Sequence, residues 1–562
     1  MNFFIHLHNY LKRAIMKKLL LSVALGCLLS SQAQLRLVKN HDGNNSSGAL
    51  PRLVMNNRLI YTATEGAINY PFFTDGTTDN SSNIIDATTG LVAMTTGTAF
   101  SNAVLNGEAH FLASFNSVST GSFSRITKAG FNSTACNAYG NLATFTGSAT
   151  SQLSRQVVLN NQILFAPNIV ASGNATGIEL YKSDGSTISL VKNINTTAAA
   201  SSQPSGHTVL NSSCFFTAND GSVSKLWKTD GTTAGTVPYI DLNTNTTIAN
   251  PSGLAVFGNE LVYAAAPNSN TGNELYKTDG AGNVTLIKDI ATTLLASSNP
   301  REISVLGNWI YFSADNGSTG RELWRSNGTN AGTQLIKDIN GVGGGGGMPT
   351  LSSNPSDFFQ VGSNVYFTAN NGINGEELWK TTGSALGTVM VKDITPGSDS
   401  TIISDMTEYN GKLYFTASNV IDFDSNLWVT DGTTAGTVKI PINPAGDSDI
   451  SNLMVFNYDL YFGANDGSGI GTELYAYHDP SLGTETSIAT EKKMILFPNP
   501  SRDSFELQSE DNIQQVAIYS LQGQLVKLFE KQLHYDVTDL AKGVYLVKII
   551  GDKSVFQKLT KE

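Results

Sequence analysis

Cysteine is nearly absent from this chain, with three in 562 residues. A dense disulfide framework is therefore excluded as its source of stability. Charge is scarce as well, at 14% of residues, and the Ala, Glu and Lys enrichment of helical proteins is missing. Basic residues number 35 against 46 acidic ones, for a net charge of −11. No basic stripe is present, so nucleic acid is not an expected partner. After one apolar stretch near the start, no run reaches the roughly 18 residues a transmembrane helix needs. Catalytic signatures are missing in the same way. Of the seven histidines, His41, His110, His207, His478 and His534 lie beyond the N-terminal stretch, none at metal-ligand spacing from another His or Cys. The glycine tract Gly341 to Gly347 lacks the Lys-Ser/Thr of a phosphate loop and reads as an expanded loop. No catalytic residue, cofactor site or metal site is expected, and an enzyme is the less favoured reading.

What is abundant is Gly, Ser, Thr and Asn, the composition of many short strands joined by turns. Within it one tripeptide recurs: Glu179-Leu180-Tyr181, Lys225-Leu226-Trp227, Glu274-Leu275-Tyr276, Glu322-Leu323-Trp324, Glu377-Leu378-Trp379, Asn426-Leu427-Trp428 and Glu473-Leu474-Tyr475. The leucines are 46, 49, 48, 55, 49 and 47 residues apart. A fixed period of this size marks a repeat architecture. The unit from Pro355 to Ile394 reads as four strands, Phe358–Gly362, Val365–Ala369, Glu377–Thr381 and Gly387–Ile394, with Gly/Asn/Asp turns between them. Four antiparallel strands per unit make one blade of a β-propeller. Two weaker units precede the seven, with third strands at Tyr70 to Thr77 and Gly121 to Ile126. The stretch Thr88 to Gly147 is the least regular, so the count is eight or nine. The fold class expected is all-β: a propeller of four-stranded blades over 34–477, a polar linker over 478–494, and a small β-sandwich over 495–562.

The last blade lacks its own fourth strand. Leu37-Val38-Lys39-Asn40 copies that strand as found at Leu190-Val191-Lys192-Asn193 and Leu286-Ile287-Lys288-Asp289. The sequence therefore predicts that Leu35 to Asn40 pairs with Glu473 to Tyr477 and closes one ring. Asp184, Asp230, Asp279 and Asp431, each before Gly, read as turn acids that accept backbone hydrogen bonds. The Glu of the tripeptide, replaced by Lys225 and Asn426, reads as a solvated or hydrogen-bonding edge residue. The aromatic after each Leu reads as core between blades. Cys136 and Cys214 read as small buried residues. Length varies mainly in the loops between strands two and three and in the crossovers from strand four to the next blade. Those two connections share one face, where binding is expected.

The N-terminus has the pattern of an export signal over 1–33: Met16-Lys17-Lys18, an apolar Leu19 to Leu29, and Ser31-Gln32-Ala33 before Gln34. The first 15 residues fit poorly, which makes Met16 an alternative start. Cys27 after Ala24-Leu25-Gly26 makes a poor lipoprotein box.

Asn426-Leu427-Trp428-Val429-Thr430-Asp431-Gly432-Thr433-Thr434-Ala435-Gly436-Thr437 resembles the ELWxxDGTxxGT repeat family of exported bacterial proteins, a resemblance that covers Gly177 to Tyr475 and implies no activity. The C-terminal segment is similar to the type A sorting domain of the type IX secretion system of Bacteroidetes. The residues that carry this are Pro498-Asn499-Pro500, Ile518-Tyr519 through Gly523, Gly543 with Tyr545, and Lys558. Phe497 stands where tyrosine is more usual. The resemblance implies passage across the outer membrane by that machinery as partner, removal of the module, and attachment to the cell surface or release. The expected function is a secreted or cell-surface, non-catalytic binding or adhesion protein for an extracellular glycan or protein. The alternatives are a carbohydrate-active enzyme, a glycosidase or lyase with carboxylates at the propeller axis, and a structural surface-layer component.

Overall fold

The structure is a computed structural model. It describes residues 35–480 and 495–561 less 44, 56–57, 67, 80, 87–102, 118–120, 130–134, 142–155, 168–176, 198–199, 267–271, 294–295, 342–350, 421–423, 498–500, 509–512, 521–524, 533 and 552–553. The predicted export signal, most of the linker, Pro498 to Pro500 and Gly523 lie outside the described residues. Two units separate, 1–482 and 483–562.

Among the described residues the first unit holds nine sheets of four or more strands, antiparallel but for one added edge strand, and all but the last, which the N-terminal strand completes, come from one stretch of chain each. The unit read as Phe358–Gly362 onward is built from Ser356–Val361, Asn364–Asn370, Glu376–Thr381 and Val389–Lys392. The irregular stretch forms a blade too, from Ala103–Leu105, Glu108–Ser117, Gly121–Ala129 and Ala135–Asn141, with Ile85–Asp86 added in parallel at its edge. It escapes the pattern because its third strand, GSFSRITKA, carries no Leu-aromatic pair.

First strands of successive blades lie beside one another around the axis, and their side chains are mostly half-buried. Second and third strands are almost wholly buried. The reason lies in the Leu-aromatic dipeptide. Neighbouring residues of a strand point to opposite faces, so Leu226 packs on the following blade with Leu261 and Tyr263, while Trp227 packs on the preceding one with Leu164 and Leu180. The same alternation places Leu323 and Trp324 in two different inter-blade cores. Every tripeptide leucine is fully buried, so each contributes about 2 kcal/mol of transfer free energy.

The ring closes as the sequence predicts. Leu35–Lys39 pairs antiparallel with Thr472–Tyr477, with Leu35 opposite Tyr477, Leu37 opposite Tyr475 and Lys39 opposite Leu474. Val38 is buried in a core that spans the last and first blades with Tyr61, Phe72, Phe456 and Leu474. Polar contacts fix this strand at three points. Arg36 reaches Asp459 at 3.2 Å and the Gly76 carbonyl at 2.7 Å. Lys39 meets Asp79 at 3.3 Å. The buried His41 ring sits between Glu65 (2.9 Å) and the Tyr61 hydroxyl (2.7 Å). Where the chain leaves the ring, the buried Asp479 carboxylate accepts from Tyr414 at 2.7 Å and Lys412 at 3.0 Å.

The second unit is a small β-sandwich. Ile495–Phe497, Ser504–Gln508 and Tyr535–Asp536 form one layer. Leu525–Glu530, Ile513–Ser520, Gly543–Gly551 and Ser554–Lys561 form the other, in that spatial order. Phe505, Tyr535, Val516, Ile518, Val547, Ile549 and Leu559 fill the space between.

Candidate functional site

The polar residues that recur from blade to blade are the first candidates, and the structure gives those named here a local partner. The tripeptide glutamates are fully buried, which corrects the solvated-edge expectation and keeps the hydrogen-bonding one. Glu322 accepts from the Ile339 amide at 2.8 Å, the Ser353 amide at 2.9 Å and the Ser353 hydroxyl at 2.5 Å. Glu274 does the same with Ile290 and Ser298, Glu179 with Ile194 and Ser202, and Glu377 with Ile394 and Thr401. Glu473 takes its donors from the N-terminal segment, His41 and Ser47. Each glutamate therefore holds the crossover that leads to the next blade. Burial outweighs these donors and raises the carboxyls of Glu274 and Glu473, and those of Glu322 and Glu377 to about 7. Where Asn426 replaces Glu, its Oδ1 accepts from the Ser448 hydroxyl at 3.1 Å. Lys225 instead pairs with Asp220.

The turn acids behave as expected. Asp431 Oδ1 accepts from the Thr433 amide at 2.8 Å and its hydroxyl at 2.7 Å, and Asp230 repeats this on Thr232. Asn327 takes the same role with Thr329. These bonds lower the Asp230 and Asp431 carboxyls, the threonine hydroxyl contributing most. The second glycine of each turn is required because the acid folds over it: a Cβ on Gly235 or Gly436 would meet the carboxylate of Asp230 or Asp431. The flanking threonines pair across the turn, Thr229 with Thr236 at 2.7 Å and Thr430 with Thr437 at 2.6 Å. Turns also reach the preceding blade, as Thr434 does on the Val391 carbonyl at 2.9 Å and Lys392 on the Thr437 carbonyl at 2.9 Å. The aromatics at Trp227, Trp324, Trp379, Tyr276 and Tyr475 are buried between blades; Tyr181 and Trp428 are half-buried. Cys214 is buried and free, its thiol pushed up to about 12 by burial.

Two features were missed in the sequence. Each first strand from the fourth blade onward bulges at its second or fifth residue. Gly206, Gly253, Glu302, Asp357, Asp405 and Asn452 hold left-handed φ between 52° and 66° there. This brings three acids, Glu302, Asp357 and Asp405, to matching positions on consecutive strands around the axis. Two are engaged locally: Asp405 accepts the Asn452 amide at 3.0 Å, and Asp357 accepts from Ser356 at 3.0 Å and Thr368 at 3.2 Å. The Pro-Ser-Asp and Ser-Asp steps at Pro355 and Ser404 were the available signal. The second feature lies in the loop between strands two and three. Asn219-Asp220, Asp315-Asn316, Asn370-Asn371 and Asn465-Asp466 each make two successive side-chain-to-backbone turns. That loop is thus patterned in four blades, and its longest forms are the connections 166–179 and 266–273. Among the described residues no group of three or more His, Cys, Asp or Glu could hold a metal ion.

In the C-terminal unit, Gly543 opens a strand opposite Lys561, and Tyr545 stands opposite Leu559 with its hydroxyl on the Ala541 carbonyl at 2.9 Å. Lys558 is opposite Leu546. The residues that carried the resemblance are therefore partly strand-pairing positions of the larger sheet. Beside them Arg502, Asp503, Thr538, Lys542 and Lys561 line an open depression of about 560 Å³.

Residues 495–562 match the family described as secretion system C-terminal sorting domain. None of the curated proteins matches the chain. Among solved structures, the β-propeller domain of the Trilobed protease from Pyrococcus furiosus is similar over 60% of this chain and 93% of that one, at 10% identity and TM-score 0.32. A prolyl endopeptidase is similar over 70% of this chain at 12% identity and TM-score 0.32, and the chain spans about half of it, 52%. The extracellular domain of a hybrid two-component system from B. thetaiotaomicron is similar over 91% of this chain and 86% of that one, at 8% identity and TM-score 0.27. Among the described residues no helix is long and apolar enough to cross a membrane. The chain is a secreted or cell-surface protein: an all-β propeller that carries a C-terminal secretion sorting domain.

Proposed function

We propose that the propeller is a non-catalytic binding or adhesion module, exported through the type IX machinery and working outside the cell on a glycan or protein. One observation carries this reading: the tripeptide glutamates, turn aspartates and turn threonines are engaged inside the scaffold. Glutamates hold crossovers, aspartates hold their own turns, and threonines pair across them. What differs between blades is loop length on the face of the two-to-three loops and crossovers, the usual place for binding on a rigid scaffold. The resemblance to ELWxxDGTxxGT repeats supports the same reading, because their consensus residues here are scaffold.

The test is binding of the purified full chain to glycan and extracellular-protein arrays. A second chain has 166–179 shortened to the form of Asn219 to Ser224. Binding that falls with the shortened loop while the melting temperature holds supports the proposal. Mutation-sensitive hydrolysis of an arrayed glycan overturns it.

The second reading, a glycosidase or lyase, is favoured by Glu302, Asp357 and Asp405 around the axis. Paired carboxylates are what glycoside hydrolysis uses. Turnover of a polysaccharide panel that vanishes in Glu302→Gln and Asp405→Asn would establish it.

A further inference from the structure

The larger sheet of the sorting module has one face in the core and one outside it. Val516 and Ile518 point inward, opposite Ile549 and Val547. Ala517, itself buried, and the half-buried Tyr519 point the other way, opposite Lys548 and Leu546. On the next strand Leu528 stands opposite Ala517 and Leu525 opposite Tyr519, with a bulge between. The bulge places Leu525 and Leu528, three residues apart, on the same outward face. Leu525 is 54% exposed, Leu528 53%, Val526 40% and Leu546 38%.

Leu525–Glu530 is also an edge strand, the first in the order of its sheet. Edge strands usually guard themselves with a lysine. Here Lys527 is drawn aside, its ammonium donating to the Asp536 carbonyl at 2.8 Å and pairing with Asp539. Apart from the exposed Glu530 at its far end, what the edge presents is apolar.

We infer that this edge, Leu525, Val526 and Leu528 with Leu546 beside them, is where the secretion machinery holds the sorting module. The occupant is a machinery component that offers an apolar, strand-edged surface. The inference rests on the sorting assignment of 495–562. The size of the patch selects a transient partner over a second copy of this chain. It offers on the order of 300 Å², well short of the roughly 800 Å² per partner of a standing complex.

The test expresses three chains in a bacterium with the type IX machinery: Leu525→Ser with Leu528→Ser, Lys542→Ser in the polar depression, and a deletion of 495–562. Both leucines are exposed, so the double variant should melt within about 0.5 kcal/mol of the parent. We expect its secreted fraction to fall about tenfold, the scale of a lost hot-spot contact, with precursor retained in the periplasm and Lys542→Ser secreted normally. Normal secretion of the double variant, while the deletion is retained, overturns the inference and leaves the sorting assignment standing. Secretion of the deletion chain overturns the assignment itself. Self-association of the parent in solution that the double variant abolishes, with secretion unchanged, assigns the edge to a second copy and also overturns it.

Discussion

At the residue scale, the buried glutamates make the propeller sensitive to pH in a definite direction. The carboxyls of Glu274 and Glu473 are raised, and those of Glu322 and Glu377 to about 7, above the roughly 4.3 of an unfolded chain. The folded state therefore binds the proton more tightly. The stability this gives is fully present below the unfolded value and is lost as pH rises through 7. The turn aspartates act oppositely. Asp230 and Asp431 are lowered, so what they contribute is present above about 4 and lost as pH falls; their exposure keeps that effect small. The melting temperature should therefore rise as pH is lowered from 8 to 5. Glu322→Ala should flatten that slope and, by leaving the Ile339 and Ser353 donors unpaired, cost about 2–4 kcal/mol at pH 6. Thermal melts of parent and variant at both pH values check this. A second residue, Gly432, sits at φ +88° with the Tyr366 hydroxyl 2.7 Å from where a Cβ would stand. Gly432→Ala should cost about 1–3 kcal/mol in a denaturant titration, because both the backbone and the neighbouring blade resist it.

At the element scale, the strand Leu35–Lys39 is the piece whose removal should matter most. Without it the last blade exposes the open edge of Thr472–Tyr477, and Val38 leaves its core. Burial of Val38 alone is worth about 2 kcal/mol, so deletion of 35–40 should lower the melting temperature of the propeller by several degrees. An unchanged melt would contradict the closure. This strand was legible because its Leu-Val-Lys-Asn copies a fourth strand found elsewhere, and copying survives any distance along the chain. The blades were legible for the same reason. The axial acids were not, because Glu302, Asp357 and Asp405 share their matching positions through bulges, which only the strand register reveals. The role of the tripeptide glutamates was half legible. Lys225 and Asn426 in their place suggested solvent, whereas Asn426 keeps an acceptor for Ser448 and Lys225 turns to Asp220 instead. On the sorting module, the sequence showed a small β-sandwich and its motif residues, but the outward leucines depend on a bulge that only the strand register reveals.

At the scale of the whole molecule, the native chain is a ring opened between the third and fourth strands of one blade. Its two ends meet as direct partners, Leu35 opposite Tyr477. Any turn between strands three and four is then an equivalent place to open it, because the separated fourth strand would again be supplied by the other end of the chain. A crossover between blades is not equivalent: a ring opened there is joined only by the packing of blade faces, with no ladder of backbone hydrogen bonds across the break. Two permuted chains separate these cases. In both, Tyr477 is linked to Leu35 by a turn copied from 430–437. One is opened between Ala435 and Gly436, in a turn, and the other between Gly397 and Ser398, in a crossover. The first should melt within a few degrees of the parent, since it loses little beyond the Gly436 amide bond to Thr433 at 2.9 Å. The second should melt lower and less cooperatively, because the Glu377 contacts to Thr395 and Thr401 on either side of the cut no longer fix one chain segment. Equal melting of the two would mean that strand exchange between the ends contributes nothing, and that blade-to-blade packing alone holds the ring.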